Sequence, residues 1–162
     1  MSPTLRLRKA RPEEAPFLTE LALRSKRAWG YDDEFMKHVM PDMIVRVEFL
    51  ALEHGIVAER EGSVVGYAIV RVDGNSAFLR DLFVEPNSFR TGVGKTLFLE
   101  AARFAKERGA TRMTLEGDPH AVGFYERLGM RQIGEEPSIV GGGRMLPVMG
   151  LSLICGPSTG SG

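Results

Sequence analysis

The segment from residue 78 to residue 109 places the tightest limits on what this chain can fold into. It contains an apolar strand, Phe78 to Val84, then a glycine pair, Gly92 and Gly94, and a helix that we expect to last until Gly109. Glycine lets backbone N–H groups approach a ligand, since no Cβ stands in the way. The first turn of a helix has N–H groups without internal partners and a partial positive charge. This order of strand, glycine turn and helix therefore predicts a phosphate-binding site where the helix begins.

Length and composition predict one globular domain. The chain has 162 residues, of which 43% are apolar and 26% charged, so a single domain over residues 1–155 is expected. Residues 156–162, rich in glycine and serine, predict a flexible tail. Lys plus Arg and Asp plus Glu both number 21, which argues against a nucleic-acid partner. No apolar run is long enough for a membrane-spanning helix, so no membrane partner is expected.

Cysteine and histidine usage point away from disulfides and metals. The single cysteine, Cys155, excludes an intrachain disulfide and fits a reducing, cytoplasmic location. We expect it to be a buried residue of the last strand. The three histidines are scattered and no C-x-x-C pair is present, so no metal site is predicted.

Hydrophobic periodicity predicts an α+β fold. Strands are predicted at Thr4–Lys9, Ile56–Arg60, Val64–Val72, Phe78–Val84, Arg112–Glu116, Met130–Gly134 and Leu146–Ile154, and helices at residues 11–28, Asp33–Val39, residues 93–108 and His120–Leu128. Short turns join the second, third and fourth strands into an antiparallel meander. A helix separates the fourth strand from the fifth, so the right-handed crossover rule makes these two parallel. The predicted sheet is mixed and mostly antiparallel, with a central parallel strand pair and flanking helices.

The stretch from Pro41 to Glu53 fits two structures. Val45, Val47 and Phe49 alternate as in a strand, whereas Met43, Val47, Leu50 and Ala51 have helical spacing. Periodicity alone leaves both possibilities open.

Two blocks of sequence resemble the GNAT family of N-acetyltransferases. In the first, Leu79 to Arg108, L-F-V-x-P followed by G-V-G at a helix start is similar to the family's acetyl-CoA motif. The second, Met113 to Arg131, contains A-V-G-F-Y-E-R-L-G-M and is similar to the family's strand, helix and return strand. With the N-terminal strand and helix and the meander, the resemblance covers residues 5–154. It implies a fold with a slot between the parallel strands, in which acetyl-CoA binds as co-substrate.

The chain departs from the family pattern at three positions. Phe89 stands where the family usually has Gln or Arg, and Arg90 stands where a glycine is common. His120 lies near the place where many members carry Asn. The first two changes remove or displace one side chain that would face a phosphate.

The resemblance implies a set of cofactor-binding residues around the glycine turn. Backbone N–H groups from Gly92 to Thr96 would bind the pyrophosphate, and Arg90 and Lys95 would add charge-assisted contacts. The main chain of the strand end would face the pantetheine arm. The predicted set is Leu82, Phe83, Val84, Arg90, Thr91, Gly92, Val93, Gly94, Lys95 and Thr96. The alternative is a glycine turn that merely starts a helix.

Tyr125 is the first candidate for catalysis. Acyl transfer releases a thiolate, and because a free thiol has a pKa of about 8.5 and a phenol about 10, a tyrosine is able to protonate the leaving sulfur. Its place in F-Y-E-R-L-G also matches the family's general acid. The alternative is an aromatic ring that only packs on the helix face.

Two carboxylates are candidates for the proton acceptor. A lysine-like amine has a pKa of about 10.4 and must lose a proton before it attacks. Asp81 and Glu116 lie on the two central strands and would point at the slot. Strand alternation puts Asp81 on one face with Leu79 and Phe83, which predicts partial burial. The alternative for each carboxylate is a solvated surface charge.

The resemblance implies an acceptor pocket between the first two helices. Trp29, Tyr31 and Asp32 fall there, and two aromatic rings beside acids suit an apolar or cationic amine. The alternative is a hydrophobic lid over the core.

The predicted function is transfer of an acetyl group from acetyl-CoA to a primary amine by direct attack. No nucleophile beside an activating base is visible, so no covalent enzyme intermediate is expected. A small-molecule amine is preferred over a protein, because the net charge is zero. A homodimer through the last strand is a further expectation.

Two other functions were weighed. A non-catalytic acyl-CoA-binding or sensor module on the same fold stays open, because Phe89 replaces the usual Gln or Arg. A P-loop NTPase is disfavoured, since Phe89 occupies the place of the first glycine in G-x-x-x-x-G-K-[ST].

Overall fold

A seven-stranded mixed sheet forms the centre of the protein. The computed structural model describes residues 4–138 and 143–154, so Cys155 and the predicted tail at residues 156–162 lie outside it. The strands are β1 (Leu5–Lys9), β2 (His54–Arg60), β3 (Ser63–Asp73), β4 (Ser76–Val84), β5 (Arg112–Glu116), β6 (Arg131–Pro137) and β7 (Met145–Ser152). The helices are α1 (Ala15–Arg27), α2 (Asp33–Met43), α3 (Val47–Leu52), α4 (Val93–Glu107) and α5 (Val122–Arg127). The strand order is β1-β2-β3-β4-β5-β7-β6.

The predicted α+β architecture is confirmed. β4 and β5 pair in parallel, and every other neighbouring pair in the sheet is antiparallel. The parallel ladder is short: Ser76–Phe78 pairs with Arg112–Thr114, and then the two strands separate. The crossover between them is α4, as the sequence predicts.

Each face of the sheet has its own apolar core. On one face, α4 buries an apolar stripe at helical spacing, with Val93, Leu97, Ala101 and Ala105 against β3 and β4. On the other face, α1, α2 and α3 cover a second cluster that includes Leu18. We refer to these two clusters as the α4 core and the α1 core. Because both cores pack on the same strands, each of them stabilises the sheet.

Residues 41–53 are helical at both ends. α2 continues to Met43, and α3 begins at Val47. Met43 and Leu50 are buried in the α1 core, whereas Val47 is 52% exposed. The helical alternative therefore holds at residues 41–43 and 47–52, and the strand alternative is wrong.

A bulge in β4 changes which side chains share a face. Ile69 pairs with Asp81 and Val70 with Leu79, so Arg80 is the extra residue. Leu79 consequently packs in the α4 core, whereas Asp81 faces the opposite core. The prediction that Asp81 shares a face with Leu79 is wrong, because strict alternation stops at the bulge.

The last strand lies inside the sheet. β7 pairs with β5 on one side and with β6 on the other, so both of its hydrogen-bonding edges are occupied. Edge pairing with a second copy is therefore blocked along residues 148–150, and a homodimer through the last strand stays a prediction. Within residues 4–138 and 143–154, every helix is too short or too polar to cross a bilayer.

Candidate active site

A cavity of about 1050 Å³ opens where β4 and β5 separate. Its walls come from both faces of the sheet: Gly94 and Phe124 on the α4 side, and Ser25, Phe49 and Phe83 on the α1 side. The end of β5 and the following loop close it from below with residues 115–118. A single space thus joins the glycine turn to the region between the first two helices.

The glycine turn has the conformation of an anion site. Arg90 and Gly92 both have a positive φ, 65° and 90°, before α4 begins at Val93. A left-handed residue other than glycine costs about 1–2 kcal/mol, so the backbone at Arg90 is strained, whereas glycine would adopt the same φ without this cost. The hydroxyl of Thr91 donates to the Ser88 carbonyl at 2.6 Å and helps to fix the turn.

Three N–H groups of the α4 terminus lack intrahelical acceptors. They belong to Val93, Gly94 and Lys95, because the first helical bond runs from the Thr96 N–H to the Gly92 carbonyl at 3.0 Å. The Thr96 hydroxyl donates to the same carbonyl at 2.9 Å. Thr96 thus departs from the predicted set of free backbone donors, since its N–H is already used.

The other predicted cofactor residues lie around the cavity. Arg90 and Lys95 are exposed and line it beside Gly92. A Cβ on Gly94 would come within 3.1 Å of the Phe124 ring, so glycine here permits α5 to pack against the helix start.

The end of β4 has a main-chain edge free for a ligand. Leu82, Phe83 and Val84 pair with β3 on one side. On the other side the β5 ladder ends at Phe78, so their peptide groups border the cavity. Their side chains are half-buried and pack in the two cores.

Tyr125 occupies the cavity wall opposite β4. It is 7% exposed and packs edge-on against Phe124 with ring centroids 5.0 Å apart. Burial raises the pKa of its hydroxyl well above the ordinary value, and the negative charges of Asp81 and Asp118 add to the shift. The phenol is therefore protonated at neutral pH and available as a donor.

Asp81 and Glu116 have different environments. Asp81 accepts a hydrogen bond from the buried Tyr67 hydroxyl at 2.9 Å. Burial raises the pKa of Asp81 to about 6, against the lowering effect of the Tyr67 bond. Glu116 is exposed at the end of β5 and also lines the cavity. Both residues line the cavity, but the Asp81 carboxylate is directed to the buried Tyr67 hydroxyl, and a role as base stays a prediction for each.

The three residues predicted to bind the acceptor make different contacts in the structure. Trp29 lines the cavity and stacks on Phe89 with centroids 6.1 Å apart, so Phe89 joins the aromatic wall. Tyr31 stacks on Phe35 at 3.9 Å. Asp32 caps α2, accepting from the Phe35 N–H at 2.9 Å. A role for Tyr31 and Asp32 in substrate binding stays a prediction.

The sequence analysis missed a polar network at Asp118. This carboxylate accepts from Lys26 Nζ at 2.5 Å, from the Tyr31 hydroxyl at 2.9 Å, and from the main-chain N–H of His120 at 2.8 Å. Arg144 donates to the Tyr31 hydroxyl at 2.8 Å. An aspartate before proline at a helix start is a capping signal, so Asp-Pro-His was the sequence clue.

Charge compensation explains the titration of this network. Burial alone would raise the pKa of Asp118, but bonds from Lys26, His120 and Tyr31 outweigh it and the net pKa is lowered. Burial and the Asp118 bond raise the pKa of Tyr31 to about 12. Asp118 is therefore a buried anion with its donors in place. In the described part of the chain, no three His, Cys, Asp or Glu side chains cluster in a way that would hold a metal ion.

Comparison with known proteins identifies the class. Residues 16–130 match the Acetyltransferase (GNAT) family, so the chain belongs to that family. A solved structure, the PaiA N-acetyltransferase of Thermoplasma acidophilum in complex with coenzyme A, superposes with a TM-score of 0.76 at 20% identity. The superposition covers 92% of this chain and 99% of that one, which confirms the fold.

Two curated relatives have sequence similarity to the chain. A Bacillus subtilis (strain 168) protein that carries the provisional name of an acetyltransferase is 35% identical over 81 residues. The match covers 50% of this chain and 55% of that protein, so it spans about half the length of the relative. Peptidyl-lysine N-acetyltransferase YiaC of Escherichia coli (strain K12) is 28% identical over 128 residues, covering 76% of this chain and 81% of the relative.

Proposed function

We propose that this protein transfers an acetyl group from acetyl-CoA to a primary amine. The observation that carries the proposal is the shared cavity. It joins unpaired N–H groups at the start of α4, a free main-chain edge on β4, and the Tyr125 phenol. These features suit a phosphate, a pantetheine amide and a leaving thiolate, in that order along the cavity.

The donor end of the cavity fits a pyrophosphate. The N–H groups of Val93, Gly94 and Lys95 point out of the helix end, where the macrodipole favours an anion. Arg90 and Lys95 lie beside them without an ion-pair partner among the described residues. Each helix-end contact contributes about 0.3–1 kcal/mol, so several together are needed for useful affinity.

The Tyr125 phenol would protonate the departing sulfur. The amine nitrogen attacks the thioester carbonyl carbon directly, and the carbon–sulfur bond breaks. Burial keeps the phenol protonated at neutral pH, so a hydrogen-bond donor is in place beside the sulfur as negative charge develops there. Asp81 and Glu116 stay the candidate proton acceptors for the amine in this scheme.

A small-molecule amine is the preferred acceptor. The acceptor side of the cavity is walled by Trp29, Phe49 and Phe89, which enclose a compact ligand rather than an extended chain. YiaC, by its name, acts on peptidyl-lysine, so a lysine peptide is the natural competitor in a test.

Binding and turnover are measured separately. Calorimetry with acetyl-CoA tests the donor site, and thiol release in the presence of benzylamine, tyramine, spermidine or a lysine peptide tests transfer. Binding followed by turnover of an amine supports the proposal. Binding without turnover of any amine would favour the non-catalytic module. A folded protein that fails to bind acetyl-CoA would overturn the assignment.

A further inference from the structure

His120 lines the cavity and is held on three sides. Its Nδ1 lies 2.9 Å from Asp118 Oδ1. Its ring stacks on Trp29 with centroids 5.3 Å apart and meets Tyr31 edge-on at 5.4 Å. Yet 47% of the side chain is exposed. An exposed imidazole gains little from core packing, so this degree of restraint points to a role in the cavity.

The contact with Asp118 determines which ring nitrogen is free. A carboxylate only accepts hydrogen bonds, and Asp118 already receives them from Lys26 and Tyr31. Nδ1 of His120 lies 2.9 Å from Asp118 Oδ1 and 3.1 Å from the Tyr31 hydroxyl. With the Tyr31 proton directed to Asp118, we assign Nδ1 as the donor to Asp118, and a neutral ring then has its lone pair on Nε2. Nε2 makes no hydrogen bond within residues 4–138 and 143–154.

We propose that His120 is the residue that takes the proton from the acceptor ammonium, with Asp118 as its positioning residue. This inference rests on the proposed acetyl transfer and replaces Asp81 and Glu116 in the role of base. By sequence, His120 lies near the place where many members of the family carry Asn. Its position beside Asp118, opposite Trp29, gives that departure a chemical reason.

The charged groups around His120 come from three segments. Lys26 on α1 bonds Asp118 Oδ2, which leaves Oδ1 for the imidazole. Arg144, just before β7, lies 3.8 Å from Oδ2 and donates to the Tyr31 hydroxyl. Asp118 is thus fixed on the side away from His120, and its orientation does not depend on the substrate.

The proton balance of the reaction closes with these residues. The substrate ammonium gives one proton to Nε2 of His120, and the neutral nitrogen forms a bond to the carbonyl carbon. The carbon–sulfur bond breaks, and the sulfur takes the phenolic proton of Tyr125. The nitrogen's second proton restores the phenol, and His120 releases its proton to solvent. The products are the amide, the free thiol and one proton.

The test uses pH to separate a missing base from a damaged site. The substrates are acetyl-CoA and whichever of benzylamine, tyramine and spermidine wild type turns over fastest. At about pH 7, His120→Gln should lower kcat/KM about 100-fold, within the usual range for a general base. The loss should shrink toward about pH 9.5, because a growing fraction of the amine is already neutral in solution as the pH approaches the amine's own pKa, which is about 10.4 for a lysine-like amine. Asp118→Asn should show a smaller loss with the same rescue.

The controls address folding and the rival carboxylate. His38→Gln removes an exposed histidine on α2 and should leave the whole profile unchanged. A loss in His120→Gln that is equal at every pH, or no loss, would overturn the inference. So would a pH-rescued loss in Asp81→Asn without one in His120→Gln. Failure of wild type to turn over any amine would refute the proposed function itself, which separates the two failures.

Discussion

Tyr125 combines a buried ring with a hydroxyl on the cavity wall. Tyr125→Phe removes only that hydroxyl, so packing against Phe124 and Phe98 should persist. We expect kcat to fall about 100-fold to 10,000-fold, as for loss of a general acid, with little change in the Kd for acetyl-CoA. Steady-state kinetics beside calorimetry checks this. Full activity in the variant would favour a packing role for the ring.

Asp81 carries a stability cost that depends on pH. Its pKa in the folded protein is about 6, against an ordinary 3.8. The unfolded chain therefore loses this proton first as pH rises, and the folded state loses stability between these two values. Asp81→Asn removes the penalty while its amide oxygen still accepts from Tyr67. It should raise the free energy of unfolding by roughly 1–3 kcal/mol at about pH 7.5.

Urea unfolding at several pH values tests this sign. The gain of Asp81→Asn over wild type should shrink as the pH falls from about 6 and vanish toward about pH 3, below the ordinary value of 3.8, where the carboxyl is protonated in both states. A variant less stable than wild type at neutral pH would mean that the ionised carboxylate stabilises the fold.

At the start of α4, the proposed ligand contacts come from main-chain N–H groups of an element rather than from one side chain. Gly92→Glu adds a side chain and a negative charge at the proposed phosphate site, and should abolish acetyl-CoA binding in calorimetry. Gly109→Glu is a matched control at the other end of the helix, with φ 96° against 90° and open space around both Cα atoms. Equal loss of binding in both variants would point to general strain instead.

Secondary-structure elements were predictable where their sequence pattern depends only on neighbouring residues. The strand, glycine turn and helix from residue 78 to residue 109 follow from neighbouring residues, and the structure has them at nearly those bounds. The bulge at Arg80 was not predicted from the sequence, because the register of β4 depends on its pairing with β3. The polar network at Asp118 was not predicted for a similar reason, since its partners Lys26 and Tyr31 are 92 and 87 residues away in the chain. A sequence pattern alone gives little information about contacts between side chains that lie far apart in the chain.

The whole molecule consists of two apolar cores on one sheet. We expect the two cores to unfold in a single cooperative transition. Leu18 and Leu97 are both fully buried, on opposite faces. Changing either to Ala should cost about 2–5 kcal/mol. The double variant should be additive within about 0.5 kcal/mol, since the two sites share no contacts. Leu99→Ala, at an exposed position on α4, is the control and should change stability little. Two separate transitions in urea would contradict a shared sheet.

The early separation of β4 from β5 predicts the order of binding and product release in the reaction. Because the cavity is walled from both faces of the sheet, donor and acceptor have room to occupy it at the same time. A ternary complex then precedes the first product, and double-reciprocal plots at several fixed acceptor concentrations should give intersecting lines. Parallel lines, the sign of a ping-pong reaction, would mean that the two ligands take turns. The point at which two strands part thus determines the form of the rate equation.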